Sequence, residues 1–186
     1  MHMQYMREWL NNASVSAFIG AFVAFILVIL TDARRRRRKL TQLRILIVDN
    51  REHAIRKVET AKTNAAMLRE NRFVPAPIMK FPVDSIRQLR PEVIDLINSD
   101  ENRSIDALLY WMEAIDALLD EAYLESRELM RLVETNGPNQ DRMQRGEKML
   151  RLYSEAEKNL GHLIAMFENF SSQTFTAILT LRHEIK

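Results

Sequence analysis

The residues that could do chemistry are few and scattered. Cysteine is absent, which excludes disulfides, thiol nucleophiles, cysteine-ligated zinc and iron–sulfur clusters. His2, His53, His162 and His183 stand alone, because no glutamate is followed by a histidine three residues on, the spacing that sets two metal ligands on one helix face. No metal ligand is expected among them. There is no Walker loop and no G-x-S-x-G, and four glycines leave little from which to build a phosphate cradle. Asp106, Glu113, Asp116, Asp120, Glu121, Glu125 and Glu128 include enough carboxylates for an acid–base pair, yet at helical spacing they read as one solvated face. The expectation is no catalytic residue, no cofactor and no small-molecule substrate, so an enzyme is not expected.

What the sequence specifies well is position. Leu10 to Thr31 carries no charge and is followed at once by Arg34, Arg35, Arg36, Arg37, Arg38 and Lys39. A helix rising about 1.5 Å per residue needs about 20 apolar residues to cross a bilayer, and this stretch has them. A cleaved signal peptide would carry its positive charge before the apolar run and a small-x-small site after it; here the charge lies behind. The excess of Lys and Arg on the C-terminal side predicts a single pass with the N-terminus outside and the rest cytoplasmic, in a plasma membrane of the bacterial inner-membrane type. Tyr5 and Trp9 suit an outer aromatic anchor. Ala13, Ala17, Gly20, Ala21 and Ala24 share one side of the span, a small-residue face of the kind that lets two helices approach closely, so self-association is expected.

Charge is unevenly divided beyond the span. Residues 31–80 hold 14 basic and 5 acidic side chains, or +9, while residues 81–186 hold 12 and 19, or −7. The collar Arg34 to Lys39 stops transfer and attracts anionic headgroups. Nucleic acid is an unlikely partner for it, since no aromatic residue is interleaved and no recognition module follows.

Few Gly and Pro and abundant Leu, Ala, Met, Glu and Arg point to an all-α chain. From Ala33 to Arg72 neither Pro nor Gly interrupts a three-four seam of Ile47, Ala54, Val58, Ala61, Ala65 and Leu68, with Arg51 at its one polar position. Within this helix Leu43 to Asp49 is a β-branched run that resembles the first strand of response-regulator receiver domains, with Asp49-Asn50 retaining half of their acidic pair. Asp95 and Lys148 fall near the distances of that family's phosphorylated Asp and its Lys. The resemblance implies alternating strands and helices, which Ser104 onward does not supply, so the helical reading is preferred.

Pro75, Pro77 and Pro82 end the first helix. The apolar connector after them, with short helices near 84–90 and 91–98, is expected to pack over the end of the bundle. Asn102 or Ser104 is expected to cap the next helix. Its seam, led by Ile105, Met112, Ile115, Leu119 and Ala122, reaches Leu129 and Val133. Asn136-Gly-Pro-Asn139 is a turn in which Gly137 takes the left-handed cap. A last helix carries Leu160 and Phe167 on its seam, with Gly161 and Ser171-Ser172 as weak points.

The predicted organisation is an extracytoplasmic segment (1–9), a span (10–31), a basic juxtamembrane helix (32–72), a Pro-containing connector (73–103) and an antiparallel helical hairpin (104–186). The cytoplasmic part is read as an antiparallel bundle or coiled coil of three long helices. The functional expectation is a non-catalytic membrane scaffold or docking protein whose partners are the membrane, a second copy of the chain and a cytoplasmic protein. The rival expectations are a toxin- or defence-type effector that perturbs the bilayer on oligomerising, and a signal-relay subunit.

Overall fold

The computed structural model describes the backbone of residues 13–70, 72 and 77–184, and the side chains of residues 16–70, 72 and 77–171. Tyr5, Trp9, the side chain of Ala13, and Phe73, Val74 and Pro75 of the connector lie outside the described residues. Every described element is helical: α1 (Ala13–Arg69), α2 (Val83–Leu89), two 3₁₀ turns (Arg90–Glu92 and Ile94–Leu96), α3 (Ser99–Glu134) and α4 (Asn139–Glu184).

Helix α1 has 57 residues, about 85 Å at 1.5 Å each. Between Gly20 and Pro75 nothing breaks it, and Thr31, Thr41 and Thr60 direct their hydroxyls onto carbonyls one turn back instead of competing with the helix. The receiver-like run is part of this helix, with Leu43 and Ile47 buried and Ile45 exposed. The α1 seam differs from expectation in its polar members. Leu43, Ile47, Asn50, Ala54, Lys57 and Ala61 are buried at alternating spacings of four and three, whereas Val58 is half-buried and Arg51 reaches out to Glu168 at 2.7 Å.

Cross-helix pairs give the directions. Arg44 meets Glu101 and Lys57 meets Asp116, so α3 runs the same way as α1. Arg51 with Glu168 and Lys62 with Glu157 make α4 antiparallel to α1, and Lys148 with Glu121 makes it antiparallel to α3. For α3 to run parallel to α1, the chain must first travel back. Pairs of Lys80 with Asp120, Arg87 with Glu113, Arg90 with Asp106 and Arg36 with Asp95 trace that return stroke from residue 80 to residue 95. The connector therefore lies along the helices and buries Ile86 and Val93 completely, instead of covering one end. Helix α4 packs against both α1 and α3. Its buried stripe includes Met149, Ala156, Leu160, Leu163 and Phe167, and Gly161 does not interrupt it.

The caps depart from the sequence expectation by a few residues. Asn98, in extended backbone, caps α3 by accepting from the N–H groups of Asp100 and Glu101 at 3.1 and 2.8 Å. Ser104 instead donates to the Asp100 carbonyl inside the helix, and Asn102 accepts from Arg90. At the other end, Asn136 and not Gly137 takes the left-handed conformation, with φ of 51°. Its N–H donates to Val133 and the Gly137 N–H donates to Leu132 at 2.8 Å, the paired bonds of a Schellman cap with Asn136 at its left-handed position. Gly137 sits close to the helix end: a Cβ there would stand 2.7 Å from Leu132 Cδ2, and that side chain would have to shift.

This cap makes the first prediction. Asn136→Gly should leave stability unchanged or raise it, whereas Asn136→Ala should lower it by about 1 kcal/mol, because a side chain without a local hydrogen bond tolerates φ > 0 poorly. Chemical unfolding of the full chain followed by helical circular dichroism reads the difference.

Candidate functional site

Three places on the helices carry unusual surface or charge. The first is the start of α1. Its apolar stretch has a mean hydropathy of 2.2 over 18 residues and none of that window is buried, so the helix is long and apolar enough to cross a membrane. Phe18 is 72% exposed and Phe25 61%. Ala17, Gly20, Ala21 and Ala24 lie within this exposed segment, and nothing stands within 4 Å of where a Gly20 Cβ would be.

The second is the arginine collar on the next two turns. Arg36 pairs with Asp32 at 3.0 Å and Asp95 at 2.6 Å, and Lys39 pairs with Glu92. Arg44, just beyond, grips Glu101 through two bonds of 2.7 and 2.8 Å. Arg34, Arg35, Arg37 and Arg38 are exposed and make no ion pair among the described residues. Thr31, Arg34, Arg35, Arg38, Lys39 and Gln42 line an open hollow of about 430 Å³.

The third is a groove of about 610 Å³ at the far end of the helices, between Leu68 of α1, Leu129, Met130 and Val133 of α3, and Arg142, Met143 and Leu150 of α4. Val133, expected to close the α3 seam, is 47% exposed here, because the seam opens beyond the buried Ser126. The Arg142 Nε is buried with no hydrogen-bond partner among the described residues.

Between collar and groove lies a polar centre that the sequence reading missed. Lys57 Nζ donates to Asp116 Oδ1 at 2.7 Å, the Phe81 backbone N–H donates to Asp116 Oδ2 at 2.8 Å, and the Lys57 ammonium sits 4.4 Å from the Phe81 ring centroid. Both side chains are buried, at 5% and 11% exposure. Asp116 therefore does not belong to the solvated acidic face, and Glu125 is also largely covered, held by Lys148 and Arg145. Burial pushes the Lys57 pKa down more than the Asp116 bond raises it, so desolvation is the larger effect in this pair. A signal for Lys57 existed: it falls seven residues after Asn50 and fourteen after Leu43, on the same heptad position.

The remaining predicted positions fall as follows. Ile105, Met112, Ile115, Leu119, Ala122, Leu160 and Phe167 are buried. His53 is half-buried and His162 exposed, and among the described residues no three His, Asp or Glu side chains converge as metal ligands. No protein family matches the chain, nor does any curated protein or solved structure.

Two predictions follow from the charge geometry. Lys57→Met strands a buried carboxylate and should cost about 3 to 5 kcal/mol. Asp116→Asn keeps an acceptor for Phe81, so Lys57→Met combined with Asp116→Asn should recover part of that loss; additivity within about 0.5 kcal/mol in unfolding experiments would show that the two do not act as a pair. Lys148 and Arg145 hold Glu125 below the usual glutamate range, and Arg90 holds Asp106 below the usual aspartate range. Carboxylates with depressed pKa stabilise the fold above their unfolded values, and the contribution disappears as pH falls through the folded ones. Glu125→Gln with Asp106→Asn should therefore lower the urea midpoint at neutral pH and flatten its decline in acid.

Proposed function

We propose that the chain is a non-catalytic, single-pass membrane protein whose cytoplasmic helices form a docking scaffold. The observation that carries this reading is the exposed apolar start of α1, which continues unbroken into the packed part of the same helix. A soluble core helix would bury that stretch, and none of it is buried. A signal peptide is a poor fit because the positive charge follows the apolar run. With the collar on the cytoplasmic side, the N-terminus faces outward by the positive-inside rule.

In this reading the cytoplasmic part is a three-helix bundle of α1, α3 and α4 braced by the Pro-containing connector. The face of Ala17, Gly20, Ala21 and Ala24 brings two spans together. The distal groove lies about 45 Å beyond the collar, the rise of 30 residues from Arg38 to Leu68. An apolar helix of a cytoplasmic protein, bearing a carboxylate for the unpaired Arg142 Nε, suits it by charge and by lining. Helix α1 also favours a second reading, signal relay, since one rigid element joins the membrane to the bundle.

Protease added outside intact cells should leave the C-terminal half intact; its digestion would reverse the topology. Gly20→Ile with Ala24→Ile should weaken crosslinking between full-length copies in the membrane. Both positions are open in the fold, so unchanged crosslinking would remove the span face from the assembly without any doubt about folding.

A further inference from the structure

The collar is a row of like residues in the sequence, yet the fold divides it. Arg36 and Lys39 point their charge at Asp95 and Glu92 of the returning connector, and Arg36 also holds Asp32. At about 100° per residue, Arg34, Arg35 and Arg38 fall within about 100° of one another, and Arg36 stands about 160° from Arg38. These three guanidiniums line one hollow, are exposed, and meet no carboxylate among the described residues. Thr31 lies at the apolar edge of the same hollow, but its hydroxyl already donates to the Leu27 carbonyl at 2.7 Å, so the free donors there are the arginines.

We propose that Arg34, Arg35 and Arg38 form a binding site for the phosphate of an anionic phospholipid, while Arg36 and Lys39 are structural cations that position the connector. The proposal rests on the membrane reading above. Guanidinium forks match phosphate oxygens two at a time, which a compact ammonium does not. Depth agrees as well: Arg34 to Arg38 spans about 6 Å of helix rise, close to the headgroup layer that separates about 30 Å of hydrocarbon from 40 to 45 Å of total bilayer. The site begins three residues after Thr31, where the uncharged stretch ends. Lipid is favoured over free phosphate because the hollow begins at Thr31, the last residue of the uncharged apolar stretch that acyl chains would flank.

The test removes the same charge from either face. Full-length protein is placed in nanodiscs containing phosphatidylglycerol and phosphatidylcholine, and lipid retained by the protein is counted by native mass spectrometry. Wild type should retain phosphatidylglycerol in preference, Arg38→Gln should weaken that preference about fivefold, and Arg36→Gln, outside the hollow, should leave it within about twofold. The second variant should instead loosen the connector, read as faster hydrogen exchange over residues 83–96. Equal losses from both variants would overturn the proposal in favour of unspecific attraction to the bilayer. Displacement of phosphatidylglycerol by millimolar inorganic phosphate would overturn the lipid assignment. Failure of wild type to enter nanodiscs at all would overturn the membrane reading itself, a result separate from loss of lipid preference.

Discussion

The arrangement of the helices hangs on one buried ion pair, Lys57 with Asp116, closed by the Phe81 backbone N–H. Three separate parts of the chain meet there: α1, the start of the return stroke and α3. An ion pair taken out of water seldom adds net stability, because desolvation of two charges offsets their attraction. The lowered Lys57 pKa is the same imbalance seen from one partner. What the pair supplies is selection. A slide of α3 along α1 by one turn would leave a buried ammonium and a buried carboxylate apart, a penalty far larger than any gain from repacking aliphatic side chains. The apolar seam alone would not discriminate so sharply, since α1 contributes Ala54 and Ala61 there, small residues that pack similarly in neighbouring registers.

The same stripe of α1 explains why this helix can be continuous and still pack. Leu43, Asn50 and Lys57 recur every seven residues, and Asn64 follows at the next repeat, its amide within 3.5 Å of the Tyr153 hydroxyl. The Asn50 amide donates to the Leu46 carbonyl, and its oxygen is buried with no hydrogen-bond partner among the described residues. Polar groups at seam positions reduce stability and restrict pairing. The interior of this molecule therefore trades some burial energy for a defined alignment of α1 with its neighbours.

Legibility in the sequence followed the physics of each feature. The apolar stretch before the collar and the seams of α3 and α4 were readable, because burial imposes a helical period on residue type over several turns. Asn98 was missed in favour of Asn102 and Ser104, since several capping residues crowd 98–104 and only backbone geometry selects among them. Glycine is the commoner left-handed residue, which favours Gly137 from sequence alone, yet it is Asn136 that takes the positive φ. Asp116 was hidden among seven acids that share a helix, of which it alone meets a buried lysine. The direction of the connector was not legible at all. It depends on pairs between residues 53 to 59 positions apart, such as Arg36 with Asp95 and Lys39 with Glu92, which no local pattern announces.

Those pairs also show how the uneven charge of the chain is used. Arg36, Lys39, Arg44, Lys57 and Lys80 come from the basic portion, and Asp95, Glu92, Glu101, Asp116 and Asp120 from the acidic one. Each exposed pair contributes at most about 1 kcal/mol and is weakened by salt, whereas a fully buried aliphatic side chain contributes about 1.5 to 3 kcal/mol. Ile86 and Val93 therefore hold the connector down, and the ion pairs determine which way it runs. A connector laid in the opposite direction would bury similar apolar area but would set Glu92 and Asp95 away from the collar. Arg36 and Lys39 would then lose these partners, and the distinction between structural and free cations in the collar would vanish. The direction of one short segment thus fixes how much positive charge the collar has left for anything outside the chain.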